Sequence, residues 1–326
     1  MPAETPSEFD LIERYFKCAA PGAVLGVGDD AAIIQPVAGM QVLMSTDMLV
    51  AGTHFLPDTD AEALGWKTLA VNVSDLAAMG ATPRWALLAL ALPAVDETWI
   101  AAFARGFFAC ANAFGVELIG GDTTRGPMSF CATILGEAPT GQALLRSGAR
   151  SGDDIWVSGH PGRAALGLAH LQGRYVLGAA MCNECLDALY RPQPRVRLGL
   201  ALRNIASAAI DVSDGLLADL GHILDGSHVS AEIQLGRLPE PLPNVELQDL
   251  LVRECVLAGG DDYELAFTAA VSNRPHIKSL ASSLQLALTR IGSIVPSNNE
   301  KILLFDAYGL PVAVGRNGYD HFLGSK

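Results

Sequence analysis

With 326 residues, half of them hydrophobic and only 17% charged, the chain has room for two ordinary domains with their own cores and is not a disordered polymer. A formal net charge of −13 repels nucleic acid and anionic membrane, so neither is an expected partner. An anionic small molecule would need metal ions or a local cluster of Arg and Lys to bind. Met1 to Asp10 carries acids and no apolar run, so no N-terminal signal is expected. The longest apolar stretch, Trp85 to Val95, is too short to span a bilayer and is broken by Pro93. A cytoplasmic protein is the expectation.

Strand-like and helical runs alternate along the chain. Met40 to Thr46 reads as a strand ending in Asp47, and Glu62 to Met79 as a helix with Trp66, Leu69, Val73, Leu76 and Ala77 on its apolar side. Trp85 to Leu92 suits a buried strand. Trp99 to Phe114 follows as a helix that stops near Gly115. Val116 to Ile119 is a short strand leading into a Gly120-Gly121-Asp122 turn, and Ser129 to Gly136 is another strand. Glu137 to Gly152 gathers Pro139, Gly141, Gly148 and Gly152 and marks a domain junction, dividing the chain into 1–138 and 139–326. Beyond it, strands are expected at Ile155–Ser158, Ala208–Val212, Glu264–Ala270 and Lys301–Phe305. Helices are expected at Gly162–Leu171, Arg195–Ala206 and Gly215–Leu224. The mixture is α/β in both halves.

The chemistry lies in acids placed beside apolar segments. Gly-Asp-Asp occurs at Gly28-Asp29-Asp30, Gly152-Asp153-Asp154 and Gly260-Asp261-Asp262, and a further Gly-Asp at Gly121-Asp122. Adjacent carboxylates repel and are tolerated near a core only where water or a cation neutralises them. Ala31 to Ile34 looks buried, which places Asp30 at a core boundary. Ser45-Thr46-Asp47 offers hard oxygens of the kind Mg²⁺ prefers, although a strand end with a helix-capping Asp accounts for it equally. Asp75 sits mid-helix with Asn72 on the same face, where a poor helix former needs a metal or another partner. The paired glycines before Asp122 would let backbone amides face phosphate oxygens. In Asp211-Val212-Ser213-Asp214-Gly215, an N-cap at Ser213 or Asp214 explains one acid and leaves Asp211 unexplained. Asp261, Asp262 and Glu264 around Tyr263 would suit a cationic ring or a metal, or form a simple polar turn. Gly152-Asp153-Asp154 needs no ligand, since it only starts a strand.

Other features are weaker. His54 follows Asp47 closely, and Arg146 stands near the junction; either is as readily a structural residue. Six cysteines in a chain of this length are no disulfide framework, and the lone Cys182-x-x-Cys185 lacks a second pair for zinc. No Ser/His/Asp or Cys/His arrangement can be assembled, so covalent catalysis is not indicated.

Taken in order, the motifs resemble the thiamine-monophosphate kinase family over nearly the whole chain. They are Gly28-Asp29-Asp30-Ala31-Ala32, Ser45-Thr46-Asp47 with Gly52-Thr53-His54-Phe55, Asn72-Val73-Ser74-Asp75-Leu76-Ala77-Ala78-Met79-Gly80, and Gly120-Gly121-Asp122-Thr123. Asp211-Val212-Ser213-Asp214-Gly215-Leu216, Gly259-Gly260-Asp261-Asp262-Tyr263-Glu264-Leu265 and Gly318-Tyr319-Asp320-His321-Phe322 complete the series. The helix motif and the Asp211 motif are specific; the Gly-Asp turns alone are not. One departure is Asp261, where the family often has Glu.

The resemblance implies ATP-dependent phosphorylation of thiamine monophosphate to thiamine diphosphate, with several Mg²⁺ ions. It implies a two-domain fold like that of aminoimidazole ribonucleotide synthetase. The N-terminal domain would form a β-barrel shared in a homodimer, and the C-terminal α/β domain would complete the ATP and substrate sites. By position, Asp30, Ser45, Thr46, Asp47, Asp75, Asp122, Asp211 and Asp214 would hold metal. Gly121, Asp122, Arg146 and Ser213 would touch ATP. His54, Asp262 and Tyr319 would line the thiamine monophosphate pocket, where an aromatic face suits the thiazolium cation. The family has no Walker A loop, and none is present here. Two alternatives stand beside this reading. One is another ATP-using synthetase of the superfamily; a selenophosphate synthetase would need a reactive Cys in an N-terminal glycine-rich segment, and Cys18 lies outside any, while Gly52-Thr53-His54-Phe55 and Gly318-Tyr319-Asp320-His321-Phe322 favour the kinase. A non-catalytic nucleotide- or Mg²⁺-binding protein had no need to keep every acid.

Overall fold

The computed structural model describes residues 6–243, 245, 247, 249–313 and 318. The chain divides into two compact units: Met1–Leu76 with Ala81–Gly141, and Ala77–Gly80 with Gln142–Lys326.

In the first unit a short helix α1 (Glu8–Leu11) continues as a π-turn over Ile12–Phe16. Then come β1 (Met40–Val50), α2 (Ala61–Ala78), β2 (Thr82–Leu92), α3 (Glu97–Phe114), β3 (Glu117–Arg125) and β4 (Ser129–Pro139). The strands form one sheet in the order β1-β4-β2-β3, with only β2 and β3 parallel. Alternation along β1 and β4 divides the sheet into an inner face, carrying Leu49 and Phe130, and an outer face. On the inner side Phe130 stacks with Phe55, Trp99 and Phe103 at ring separations of 5.6, 5.9 and 4.9 Å. Asp96 caps α3 by accepting from Thr98 N and Trp99 N, and Gly115 ends it in the left-handed conformation. Helices α2 and α3 touch through glycines. A Cβ on Gly106 would lie 1.7 Å from Glu62 O, and one on Gly65 2.0 Å from Phe103 O.

Among the described residues the four-stranded sheet is open at β1 and β3, so one chain alone closes no barrel; the barrel expected was one shared by two copies. One expectation changes here. Gly120-Gly121-Asp122 is not a turn beyond a strand but lies inside β3, after a bulge that sets Leu87 opposite Gly120 where Ala86 faces Leu118. The bulge buries Leu118 and Ile119 together, which is why the sequence pattern appeared to stop there.

The second unit contains β5 (Asp154–Ser158), α4 (Arg163–Leu171), α5 (Ala179–Tyr190), α6 (Val196–Leu202), β6 (Ala208–Val212), α7 (Leu216–Ser227) and β7 (Val229–Gln234). They are followed by α8 (Leu250–Ala258), β8 (Glu264–Ala269), α9 (Arg274–Leu284), β9 (Leu288–Pro296), β10 (Ile302–Phe305) and β11 (Pro311–Val312). Seven strands form a mixed sheet in the order β11-β10-β7-β9-β5-β8-β6. Both faces are covered. Ile155, Val157, Ile210 and Ala266 enter one apolar cluster, while Trp156, Ala209, Leu265 and Phe267 enter another. That explains why these strands read as continuous apolar runs.

The Gly152-Asp153-Asp154 turn is satisfied within the protein, as expected of a turn that starts a strand. Asp153 accepts from Arg150 N and Ser207 Oγ, and Asp154 pairs with Arg274 and Arg290. Cys182 and Cys185 lie on α5 as free thiols, and burial pushes the Cys185 thiol up to about 11. Among the described residues no helix is long and apolar enough to cross a membrane.

Candidate active site

In the first unit, β1 sends Ser45 and Asp47 toward α2 and Thr46 to the opposite face. Ser45 Oγ donates to Asp75 Oδ2 at 2.5 Å, and Asp47 N donates to Asn72 Oδ1 at 3.1 Å. Asn72 is fully buried and donates in turn to Thr68 O. The polar stretch of α2 predicted from Asn72 and Asp75 therefore does meet the predicted strand residues. The Thr46 hydroxyl does not join them. It meets Thr133 Oγ1 at 2.9 Å and Ala132 O at 3.1 Å on the outer face. Strand alternation forces this separation, so any ligand from Thr46 on that side would have to be its backbone carbonyl.

Asp30 lies in an exposed loop, with its backbone N–H on Asp29 Oδ1. The expected burial of Ala31 to Ile34 is not found: Ala31 is exposed and Ile33 keeps 52% of its surface. Small apolar residues after a Gly-Asp turn look like a core boundary in sequence, but here they cover little. The segment is tied at two places, where Gly22 N donates to Glu117 and Val37 N to Glu137. His54 is fixed by its own turn, its Nδ1 accepting from Val50 N at 3.0 Å. Gly121 and Asp122 are exposed on β3 and border a hollow whose lining includes Ile12, Phe16, Val27, Leu88, Leu90 and Leu118. Gly121 also has a packing reason: a Cβ there would stand 1.9 Å from Leu88 O.

In the second unit, Asp211 is buried at the end of β6, and Ser213 and Asp214 follow it partly exposed. Neither caps α7 as the sequence suggested. The N-cap position is Gly215, and the amides of Ser213, Asp214 and Gly215 all donate to Asp219 Oδ2, inside the helix. Burial, and next the charge of Asp214, push the Asp219 carboxyl up to about 7 against those three N–H groups. Sequence reading missed Asp219, although its signal resembles that of Asp75: an acid on an apolar helix stripe.

The two sharpest motifs of this unit are bonded to each other. Asp261 N donates to Ser213 O at 2.9 Å, and Tyr263 N donates to Val212 O at 2.8 Å. Asp261 and Tyr263 both adopt left-handed backbone (φ 70° and 51°), an uncommon state for non-glycine residues that these bonds hold in place. Tyr263 OH donates to Asp261, and Glu264 is buried against Arg195 and Ser158, so this turn is largely satisfied internally. Asp262 accepts from Gly162 N at 2.7 Å, at the start of α4. Accepting there gives it a helix-capping role absent from the sequence reading, although burial raises its carboxyl well above the usual range. Arg146 is exposed beside the start of β6, where Ala209 N donates to Leu145 O. Ser213 follows the far end of that strand, about 13 Å away at ~3.3 Å per residue. Tyr319 lies outside the described residues.

Among the described residues, no three His, Cys, Asp or Glu side chains stand together closely enough to hold a metal ion. The donors are hard carboxylate and hydroxyl oxygens, which fit Mg²⁺. That ion commonly takes one or two carboxylates and completes its shell with phosphates and water.

Residues 28–138 match the family model "AIR synthase related protein, N-terminal domain", which makes the first unit a member of an AIR synthase-related class. The thiamine-monophosphate kinase of Salmonella typhimurium is 46% identical over 325 residues, covering 97% of this chain and 98% of that protein. The crystal structure of thiamine-monophosphate kinase from Stenotrophomonas maltophilia superposes with a TM-score of 0.81 at 49% identity, covering 87% of this chain and 91% of that one. AaThiL complexed with AMPPCP and TMP gives 0.75 at 30% identity, over 88% and 89% of the two chains. The chain belongs to the thiamine-monophosphate kinase family.

Proposed function

We propose that this protein transfers the γ-phosphoryl group of ATP to the phosphate of thiamine monophosphate, giving thiamine diphosphate and ADP. The observation that carries this reading is full-length kinship: 46% identity across 97% of the chain to a thiamine-monophosphate kinase. A relative of the same fold, complexed with AMPPCP and TMP, supports both ligands.

An oxygen of the acceptor phosphate attacks the γ-phosphorus while the bond to the β-phosphate oxygen breaks, and ADP leaves. The acceptor is already ionised at neutral pH, so no general base is needed, in keeping with the lack of a Ser/His/Asp or Cys/His arrangement in the sequence. Such reactions depend on positioning and charge neutralisation more than on covalent help. Mg²⁺ would be held by Asp30, Ser45, Asp47, Asp75, Asp122, Asp211, Asp214 and the Thr46 carbonyl, and when bound it neutralises phosphate charge. Gly121, Asp122, Arg146 and Ser213 would meet ATP; His54, Asp262 and Tyr319 would meet the acceptor. Residues 1–138 would supply the metal, nucleotide and dimer surfaces, and 139–326 would complete both ligand sites.

The outer face of the first sheet supports a homodimer. Met44 and Met48 keep 71% and 57% of their surface, and Leu87 37%. The register sets them beside Thr46, Cys131, Thr133 and Ala89, an uncharged patch bordered on β3 by Asp122, which pairs with Ala89. Covering this face with a second copy would bury apolar area that water otherwise meets. Two open sheets face to face would form the barrel that one chain lacks.

Incubation with ATP, Mg²⁺ and thiamine monophosphate, followed by chromatography, tests the reaction. Stoichiometric thiamine diphosphate and ADP are expected; nucleotide binding without product would refute it.

A further inference from the structure

Asp219 retains 2% of its surface, yet it is surrounded by hydrogen-bond donors rather than by hydrocarbon alone. Its Oδ2 accepts from Ser213 N, Asp214 N and Gly215 N at 2.9, 3.0 and 3.1 Å. Consecutive amides converging on one point make the concave array that commonly holds an anion such as phosphate. Here the anion is a side chain of the protein. The amides it binds precede α7, so the carboxylate organises the loop and not the helix. From the other side, Asp261 N and Tyr263 N bind Ser213 O and Val212 O. The loop is gripped through both its donors and its acceptors. What it presents outward are the side chains of Ser213 and Asp214, both partly exposed.

We infer that Asp219 is a positioning residue for the nucleotide end of the site. Its carboxylate sets the Ser213–Gly215 backbone so that Ser213 and Asp214 meet the polyphosphate and its cation in one fixed arrangement. Asp219 touches no substrate itself. The inference rests on the roles proposed above for Ser213 and Asp214. It requires that loosening the loop weaken nucleotide and Mg²⁺ use while sparing the acceptor.

Asp219→Asn keeps the size of the side chain and one oxygen for the three amides but removes the charge that strengthens their bonds; Asp219→Ala removes the acceptor. Steady-state kinetics should show KM for ATP raised about tenfold or more in Asp219→Asn, with a parallel rise in the Mg²⁺ concentration for half-maximal rate. KM for thiamine monophosphate should stay within about twofold, and far-UV circular dichroism should not change. A folded Asp219→Asn with unaltered ATP KM and Mg²⁺ dependence overturns the inference. So does a uniform fall in kcat with both KM values unchanged, which is the mark of a smaller active fraction. If Asp219→Ala fails to fold, Asp219→Asn decides; failure of both makes Asp219 purely structural and ends the proposal. Should the wild type make no thiamine diphosphate, the functional reading falls separately. Calorimetric binding of Mg²⁺ and ATP to wild type and Asp219→Asn then decides, equal affinities counting against Asp219.

Discussion

The Ser45 hydroxyl and the Asp75 carboxylate meet across 2.5 Å, joining a strand to the middle of a helix in the first unit. One turn away on the same helix, Asn72 holds the Asp47 backbone. Two acids are thereby fixed on neighbouring elements, an arrangement that helix propensity alone would disfavour. Asp75→Asn preserves the shape and can still accept from Ser45, but it removes the charge. Turnover should fall at least about 10²-fold at saturating Mg²⁺, by analogy with the loss of other electrostatic groups. The melting temperature should move by only a few degrees, because the hydrogen bond survives. Near-wild-type turnover would remove Asp75 from the metal set.

Thr46 gives the opposite expectation. Its hydroxyl meets Thr133 and Ala132 on the outer face, away from Ser45 and Asp47. Thr46→Val should keep turnover near the wild-type value, because the hydroxyl it removes faces away from Ser45 and Asp47. The backbone carbonyl is untouched by that change. A loss comparable to that of Asp75→Asn would show that the hydroxyl reaches the reacting groups after all.

The outer face can be tested by charge. Met44→Asp combined with Met48→Asp places two carboxylates where 71% and 57% exposed methionines now stand. In the isolated chain this should cost little, because surface substitutions typically change stability by under about 0.5 kcal/mol. In a face-to-face pair each charge would be desolvated and repelled. Sedimentation should therefore move from dimer to monomer. A variant that sediments like the wild type would place the contact elsewhere.

The sequence was legible where one physical demand acted alone. The α2 stripe, the β6 run and the Gly115 stop each follow from periodicity or a single conformational need, and each lies within a few residues of its expected place. It was misleading where two demands met. The bulge in β3 broke the alternation, so a strand was read as a turn. Helix α9 buries only Ile277 and carries too polar a surface to signal itself. At the candidate site, Asp75 stood out because an acid on an apolar stripe is conspicuous; Asp219 offers the same signal. Its three partners are amides, which no side-chain pattern announces. The Thr46 hydroxyl was grouped with Ser45 and Asp47 because a motif names consecutive residues, whereas a strand sends them to opposite faces.

Acid stability offers a last test, at Asp154. Burial alone would raise this carboxyl, but Arg274 and Arg290, bonded to it at 2.6 to 3.1 Å, outweigh burial and hold it below the usual carboxylate range. A group with a depressed folded-state pKa contributes stability above its unfolded value of about 3.9 and loses it as pH falls through the folded value. Arg274→Met removes one guanidinium and leaves the other. At neutral pH it should be less stable than the wild type, because the buried Asp154 carboxylate loses one of its two cationic partners. That deficit should shrink as pH drops below the ordinary carboxylate range, because a protonated Asp154 no longer needs the second cation. Urea unfolding of both proteins from neutral to strongly acid pH measures it. A deficit that stays constant across the range would mean that Arg274 acts by packing, and that Asp154 contributes nothing to the acid sensitivity of the fold.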